Sequence, residues 1–344
     1  MPTCANNNRN HVANQNFCAN LPDDITAQLP EDYADLDNFF MVQDTLNYTR
    51  EQLGGYFRKY FPRSYKETCN VFHQLVQSSP KYRETLASKS TINILDIGTG
   101  IGGNLIGLLK YINNHFSNIE CVSVYAIDGN IEALIYQQEI LSRLNFNFQI
   151  NFLPMHWVFT SQTLLSDLKY ITDSSKPYDI VICSKFINEF YRKDVAIKGL
   201  YSDFISFSQR VLNRSGIVII TELTDKQPVT GIHLNMLFNN ETMNYFRNTP
   251  DSLRQIFPLP CHLWRDMCQS SEDCFMQQQY PDVRAKAFTQ VFCSREFGSN
   301  FYDAQFTAYY QERAFRIKNT IDTKAFCYQG RLYDNHQIIP EDYY

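Results

Sequence analysis

Two acidic residues and the glycines between them carry the chemistry legible in this chain. Ile94 to Gly103 reads ILDIGTGIGG: an apolar run, Ile92 to Ile97, holds Asp96 and then opens into Gly98, Gly100, Gly102 and Gly103. Glycine has no Cβ and tolerates φ > 0, so such a loop lets backbone come very close to a bound molecule. The stretch from Asn104 to Ile112 is apolar at helical spacing, so the loop ends at a helix N-terminus. A second apolar run, VSVYAIDGN, ends at Asp128, which places another carboxylate at a strand tip.

Gly98, Gly100 and Gly103 also satisfy G-x-G-x-x-G, the dinucleotide pattern. Charge separates the two ligand classes this pattern admits. In a dinucleotide site the helix N-terminus receives a pyrophosphate. Asp96, two residues before Gly98, would repel a pyrophosphate and attract an ammonium. S-adenosylmethionine carries an ammonium and a sulfonium and no phosphate, so the charges favour it over a nicotinamide dinucleotide. Asp128 suits the ribose hydroxyls of a bound nucleoside, at a spacing from Gly103 a little beyond the usual ~20 residues. Asp128-Gly129-Asn130 also reads as a turn and helix cap, and both roles can hold at once.

From about Ile92 to Leu223 the chain resembles the core of a class I S-adenosylmethionine-dependent methyltransferase. D-x-G-x-G-x-G matches at Asp96, Gly98, Gly100 and Gly102, and the acid after the second strand matches at Asp128. YDIVICSKFINEF (Tyr178 to Phe190) resembles the fourth-strand segment and SGIVIITEL (Ser215 to Leu223) the fifth. The resemblance implies an α/β fold, a mostly parallel Rossmann-like sheet with helices on both faces, an N-terminal helical lid and a late insertion. It implies that Asp96, Gly98, Thr99, Gly100, Gly102, Asp128, Gly129, Met155 and Ser184 bind the cofactor. It also implies that Lys185, Asn188 and Glu189 face the methyl acceptor. After the third strand, Met155, His156 and Trp157 stand where many members carry an acidic or amide residue for the adenine amino group. Methyl transfer is an in-line displacement for which alignment can suffice; a base helps only if the acceptor must lose a proton. Glu189, His156 and His233 are the candidate bases, and none stands out.

The elements that must position these residues alternate. Strands are expected at about 92–97, 121–127, 147–153, 178–183 and 216–222, with helices between them, a pattern that gives a parallel sheet. Ligands in such sheets bind at the carboxyl ends of the strands. That rule gathers Asp96, Asp128, the 154–157 turn, Ser184 to Glu189 and Glu222 around one cleft. Residues 1–30, rich in Asn, read as a flexible tail, and 31–90 as the helical lid region. There TREQLGGYFRKYF and YKETCNVFHQLV are helical, broken near Pro62, with Tyr56, Tyr60 and Arg63 as candidates to touch the cofactor. The cofactor-binding domain is expected over 91–316, with an insertion at about 225–285 that includes helical LNMLFNNETMNYF. Two later runs, AFTQVFCS and QFTAYYQ, would complete the sheet, and 317–344 form a polar tail.

Composition narrows the partners. The 344 residues carry 31 Lys and Arg against 36 Asp and Glu, a formal charge of −5, with no basic run. A nucleic-acid binder usually shows a basic stripe, so a small-molecule acceptor is favoured. The 22 Tyr and 26 Phe suit core packing or an aromatic-lined pocket. The N-terminus lacks the apolar stretch of a signal peptide, and no run approaches the ~18 apolar residues of a membrane span. The chain therefore reads as cytoplasmic, its ten cysteines mostly reduced. Cys261, Cys268, Cys274 and Cys293 could supply four thiolates, but C-x6-C-x5-C lacks the paired C-x2-C knuckles of a zinc ribbon. Free thiols and no metal are expected. Pro260-Cys261-His262 weakly resembles the Pro-Cys-Pro-His of a ribosome-assembly family of methyltransferase-like proteins. Two alternatives follow: a ribosome- or rRNA-directed assembly protein, and a non-catalytic S-adenosylmethionine-binding scaffold.

Overall fold

The computed structural model describes residues 21–31, 45–172, 177–194, 197–223, 225–249, 252–257 and 286–298, with short strand segments at 278–279, 316–318, 326–327, 331–332 and 337–339. Helices lead: α1 (Asp23–Thr26), a 3-10 turn at Thr45–Asn47, α2 (Arg50–Lys59), α3 (Phe61–Ser78) and α4 (Pro80–Ala87). Strand and helix then alternate through β1 (Thr91–Ile97), α5 (Gly103–His115), β2 (Cys121–Asp128), α6 (Ile131–Ser142), β3 (Gln149–His156), α7 (Leu164–Thr172) and β4 (Tyr178–Ser184). They are followed by α8 (Ile187–Lys193), α9 (Leu200–Val211), β5 (Leu212–Leu223), α10 (Leu234–Asn248), β6 (Leu253–Phe257), β7 (Gln278–Gln279), β8 (Lys286–Ser294) and α11 (Arg295–Gly298).

The sheet runs β3-β2-β1-β4-β5-β8-β6, with β7 paired to β8. The first five strands are mutually parallel, and β8 enters antiparallel between β5 and β6. Parallel strands covered on both faces must be apolar on both, and β4 is buried at every residue but its last. Alternate side chains therefore feed two cores. Ile92, Ile94, Val122, Ile180 and Ile217 face α3, α5 and α6; Leu95, Ile97, Val181, Cys183 and Val218 face α7, α9 and α10.

The five expected core strands are all present, as are AFTQVFCS in β8 and the LNMLFNNETMNYF helix in α10. QFTAYYQ and the tail residues 1–20 lie outside the described residues. The far edge strand is β6, within the stretch read as insertion. The expected 154–157 turn is instead the end of β3, which pairs with β2 as far as Asp128↔His156. β3 is an edge strand, where a proline such as Pro154 is tolerated because its missing N–H need not serve a neighbour. In the tail, β9 (Arg316–Lys318) pairs with β12 (Gln337–Ile339), and β10 (Phe326–Cys327) with β11 (Arg331–Leu332).

The N-terminal helices are packed into the fold. α2 starts at a capping box, Thr49 with Gln52, and Pro62 sits in the first turn of α3, where its missing N–H is harmless. α3 lies along α5 so closely that a Cβ on Gly107 would meet the Tyr65 carbonyl oxygen at 2.4 Å. Phe57, Phe61 and Phe72 are fully buried there. Cys69 on α3 is disulfide-bonded, against the expectation of a reduced thiol; Cys121, Cys183 and Cys293 are free. No helix among the described residues is long and apolar enough to cross a membrane.

Candidate functional site

β1 delivers Asp96 to the carboxyl edge of the sheet, and the loop after it folds back on β2. The backbone N–H groups of Gly98 and Thr99 both donate to the Ile127 carbonyl, at 2.8 and 3.2 Å. Gly98, Gly100 and Gly102 take φ of +68°, +54° and +82°, a region costly for most side chains. The surroundings of the three differ. A Cβ on Gly98 would strike Phe186 at 2.6 Å and one on Gly102 would strike Gln137 at 2.4 Å, whereas one on Gly100 would meet nothing within 4 Å. The loop is thus wedged at both ends and open in the middle.

The two acids brace this loop. Thr99 Oγ1 donates to Asp96 Oδ2 at 2.6 Å and receives a hydrogen bond from Gln137 Nε2 at 2.9 Å. Asp128 Oδ2 accepts the Gly100 N–H at 2.7 Å, and Oδ1 accepts the Asn130 N–H at 2.8 Å. Burial, offset by the Thr99 hydroxyl and reinforced by the Asp128 charge, pushes the Asp96 carboxyl up to about 7. Burial also raises Asp128, against the pull of the Asn130 and Gly100 N–H groups. Asn130 caps α6 through the N–H groups of Glu132 and Ala133. Its amide nitrogen also donates to the Thr45 and Tyr48 carbonyls, at 2.8 and 3.1 Å. The segment before α2 is thereby tied over the β2 tip, with Leu46 against Gly129.

β4 brings in the second group. Lys185, directly after Ser184, has φ +57°, the one positive value at a described residue other than glycine; such strain gathers at functional sites. Its Nζ donates to Glu67 Oε2 at 2.6 Å and Ser64 Oγ at 3.0 Å, and Arg63 Nε donates to Glu67 Oε1 at 2.6 Å. Burial alone would raise the Glu67 carboxyl, but Lys185 and Arg63 together hold it below its ordinary value. Burial lowers Lys185, partly offset by Glu67. This cluster joins α3 to the end of β4.

The remaining expected residues are scattered around these two groups. His156 is exposed, its Nε2 2.9 Å from the Gly129 carbonyl oxygen. Met155 is half-buried, and its sulfur accepts the Tyr125 hydroxyl at 3.1 Å. Asn188 is fully buried, neither side-chain polar atom bonded, and its N–H donates to Glu222 Oε1 at 3.3 Å. Glu222 is equally buried, and its carboxyl is pushed far up by burial. Glu189 is half-buried in the first turn of α8. Burial, then the charges of Tyr60 and Glu189, raise the Tyr48 hydroxyl; the Tyr56 and Tyr60 rings lie 5.0 Å apart. His233 stands apart from the loop, at the N-cap of α10, bridged to Lys226. Cys293 is a buried strand residue of β8, while Cys261, Cys268 and Cys274 lie outside the described residues. Among the described residues no group of three or more His, Cys, Asp or Glu is arranged to hold a metal.

Sequence reading missed Gln137, Ser64 and Glu67. The Arg63–Glu67 pair did carry a signal, a cation and an acid four residues apart on one helix. The others become neighbours of the loop only through tertiary packing.

Strand order, glycine loop and paired acids together define a Rossmann-like methyltransferase fold. No family model matches the chain, and no curated protein does. Among solved structures it is similar to the carbon methyltransferase DszA, with 18% identity over 47% of this chain and 36% of that one, at a TM-score of 0.31. It is also similar to MNMC2 from Aquifex aeolicus, with 11% identity over 64% and 58% at 0.34. A putative class I S-adenosylmethionine-dependent methyltransferase from Listeria monocytogenes gives 10% identity over 66% and 59% at 0.37. The chain spans less than two thirds of each of these proteins. At such scores the likeness carries no argument about activity.

Proposed function

We propose that the chain is an S-adenosylmethionine-dependent methyltransferase acting on a small molecule. The observation that carries this reading is the open space over Gly100, in a loop braced by Asp96 through the Thr99 hydroxyl and by Asp128 through the Gly100 N–H. The residues fit the cofactor. Asp96 has the sign to hold the ammonium, Asp128 keeps lone pairs for ribose hydroxyls, and Gly100 leaves room that a Cβ would fill. Leu46, tied down by Asn130, and exposed Val158 offer apolar surface near the β2 tip for the base. When bound, the cofactor supplies an electrophilic methyl group on its sulfonium. The chain's own part is to fix that group beside the end of β4 and to shape the acceptor's approach. Lys185 and Glu189, both half-buried there, are the residues placed to orient an acceptor. The candidate bases are Glu189 in the first turn of α8, His156 at the end of β3 and His233 at the N-cap of α10.

The test is direct. S-adenosylmethionine or S-adenosylhomocysteine at about 100 times Kd should stabilise the folded chain by ~2.7 kcal/mol, read as a rise in melting temperature. NAD and NADP should leave it unchanged. A cell extract treated with the protein and labelled cofactor should then yield a methylated small molecule by mass spectrometry. Stabilisation by the dinucleotides alone would end this reading. Label appearing only in RNA would favour the ribosome-directed alternative.

Asp96 predicts a pH dependence. Its folded value near 7 exceeds the ordinary ~3.9 of an unfolded aspartate. Ionising it inside the fold is therefore unfavourable, and the free protein loses stability from this group as pH rises between roughly 4 and 7. An ammonium ligand prefers the ionised form, so affinity should weaken by up to ~10-fold for each pH unit below 7. Calorimetry in buffers of different ionisation enthalpy should show proton release on binding in that range. A flat affinity profile there would mean that Asp96 does not meet the ligand's charge.

A further inference from the structure

We infer that the Asn188 amide and the Glu222 carboxyl form a subsite for a neutral group of the methyl acceptor, one that both donates and accepts hydrogen bonds as a carboxamide does. The inference rests on the methyltransferase reading above. Its first support is a set of polar atoms that the fold leaves unused. Both side chains are 0% exposed. Glu222 Oε1 accepts the Asn188 N–H at 3.3 Å, while Glu222 Oε2, Asn188 Oδ1 and Asn188 Nδ2 bond nothing among the described residues. Buried polar atoms without partners are rare and costly. Three of them on two hydrogen-bonded residues mark a place for a ligand.

The second support is position. Thr221, directly before Glu222, pairs with Ser184 across β5 and β4. Asn188 and Glu222 therefore stand at the carboxyl ends of adjoining parallel strands, where ligands bind in such sheets. Asn188 lies on the buried side of α8 with Ile187 and Tyr191, but Phe186 and Glu189 beside it are half-buried. Phe186 also abuts the first glycine of the loop, 2.6 Å from where a Cβ on Gly98 would lie. The third support is the chemistry around the pair, which selects the class of ligand. Phe288 of β8 stands opposite Glu222 and Gln290 opposite Ile220, so Gln290 is the diagonal neighbour of Glu222 on one face of the sheet. Gln290 bonds Asn239 and Thr242 of α10, both neutral. Burial drives the Glu222 carboxyl far above its ordinary value, against the pull of the Asn188 N–H, which favours the proton-bearing acid. Such an acid donates through one oxygen, and an amide both donates and accepts. Together they match a group of the same kind, whereas an ion would be costly there.

The experiment titrates the full-length chain with benzamide, benzoate and benzylamine, with and without saturating S-adenosylhomocysteine, by ligand-observed NMR at neutral pH. The three probes share a ring and differ in the head group. Benzamide should bind at least about tenfold more tightly than the anion or the cation, the discrimination of one buried hydrogen-bonded group. Asn188→Ala should erase the preference. Glu222→Gln, which keeps a neutral side chain with a donor and an acceptor, should retain it, and it serves as the readout if Asn188→Ala fails to fold. Equal binding of the three probes, or binding of none, would overturn the inference; a pair occupied only by internal water predicts that result. So would loss of the preference in Glu222→Gln, or its persistence in Asn188→Ala. Stabilisation by S-adenosylhomocysteine in the same samples keeps the cofactor reading intact in each of these cases. Absence of that stabilisation would instead bring down the cofactor reading, and this inference with it.

Discussion

Gly100→Val should abolish binding of S-adenosylmethionine while far-UV circular dichroism and solubility stay close to wild type. Gly98 and Gly102 are hemmed in by Phe186 and Gln137, so side chains there would disturb the protein itself. At Gly100 nothing within 4 Å opposes a Cβ, and the added isopropyl group enters the space assigned to the ligand. The substitution also has a backbone component. φ is +54°, and holding a β-branched residue in such a region costs ~1–3 kcal/mol. Gly199 separates the two effects. It too has positive φ, +83°, and open space at its Cβ position, but it caps α9, away from the loop. Gly199→Val should therefore show a similar loss of stability in urea with cofactor affinity unchanged. If Gly100→Val binds the cofactor like wild type, the ligand does not sit over the loop, and the methyltransferase reading loses its main support.

The contrast between these glycines shows what a sequence can and cannot disclose. The loop and its acids are legible because their signal is local: Asp96 and three glycines within seven residues, then a second apolar run ending in Asp128. The parallel sheet is legible because a strand buried on both faces must be a nearly unbroken apolar run. β6 is not, since LRQIF carries a buried Gln255 and an Arg in five residues. Only its ladder with β8 makes it a strand. The length of β3 was hidden by Pro154, a turn signal in most contexts. The Arg63–Glu67–Lys185 group is the clearest case of tertiary information. Lys185 lies 118 residues from Glu67, and its positive φ belongs to a lysine that no pattern marks as strained. That group also alters the picture of the N-terminal helices. With Phe57, Phe61 and Phe72 buried and Glu67 bonded to the end of β4, α3 forms a wall of the site.

Asp128→Ala should lower both stability and cofactor affinity, and the two losses have different origins. The structure gives this carboxylate more to do than the sequence alone suggested. It accepts the Gly100 and Asn130 N–H groups, so it braces the loop and the start of α6 as well as presenting oxygen to a ribose. Removing it leaves two backbone donors without partners, at about 1–3 kcal/mol for each that water cannot reach. Thermal unfolding should show that part without any ligand present. A direct contact with the ribose hydroxyls should add about 1.5–3 kcal/mol to the loss in binding. The two parts separate in a cycle that pairs the substitution with S-adenosylhomocysteine and its 2′,3′-dideoxy analogue. If Asp128 receives the hydroxyls, deleting them from the ligand should weaken binding strongly in wild type and only slightly in Asp128→Ala. The same penalty in both proteins would show that Asp128 acts through the loop alone. The second acid would then be a brace for Gly100, and ribose recognition would have to be sought elsewhere along the β2 tip.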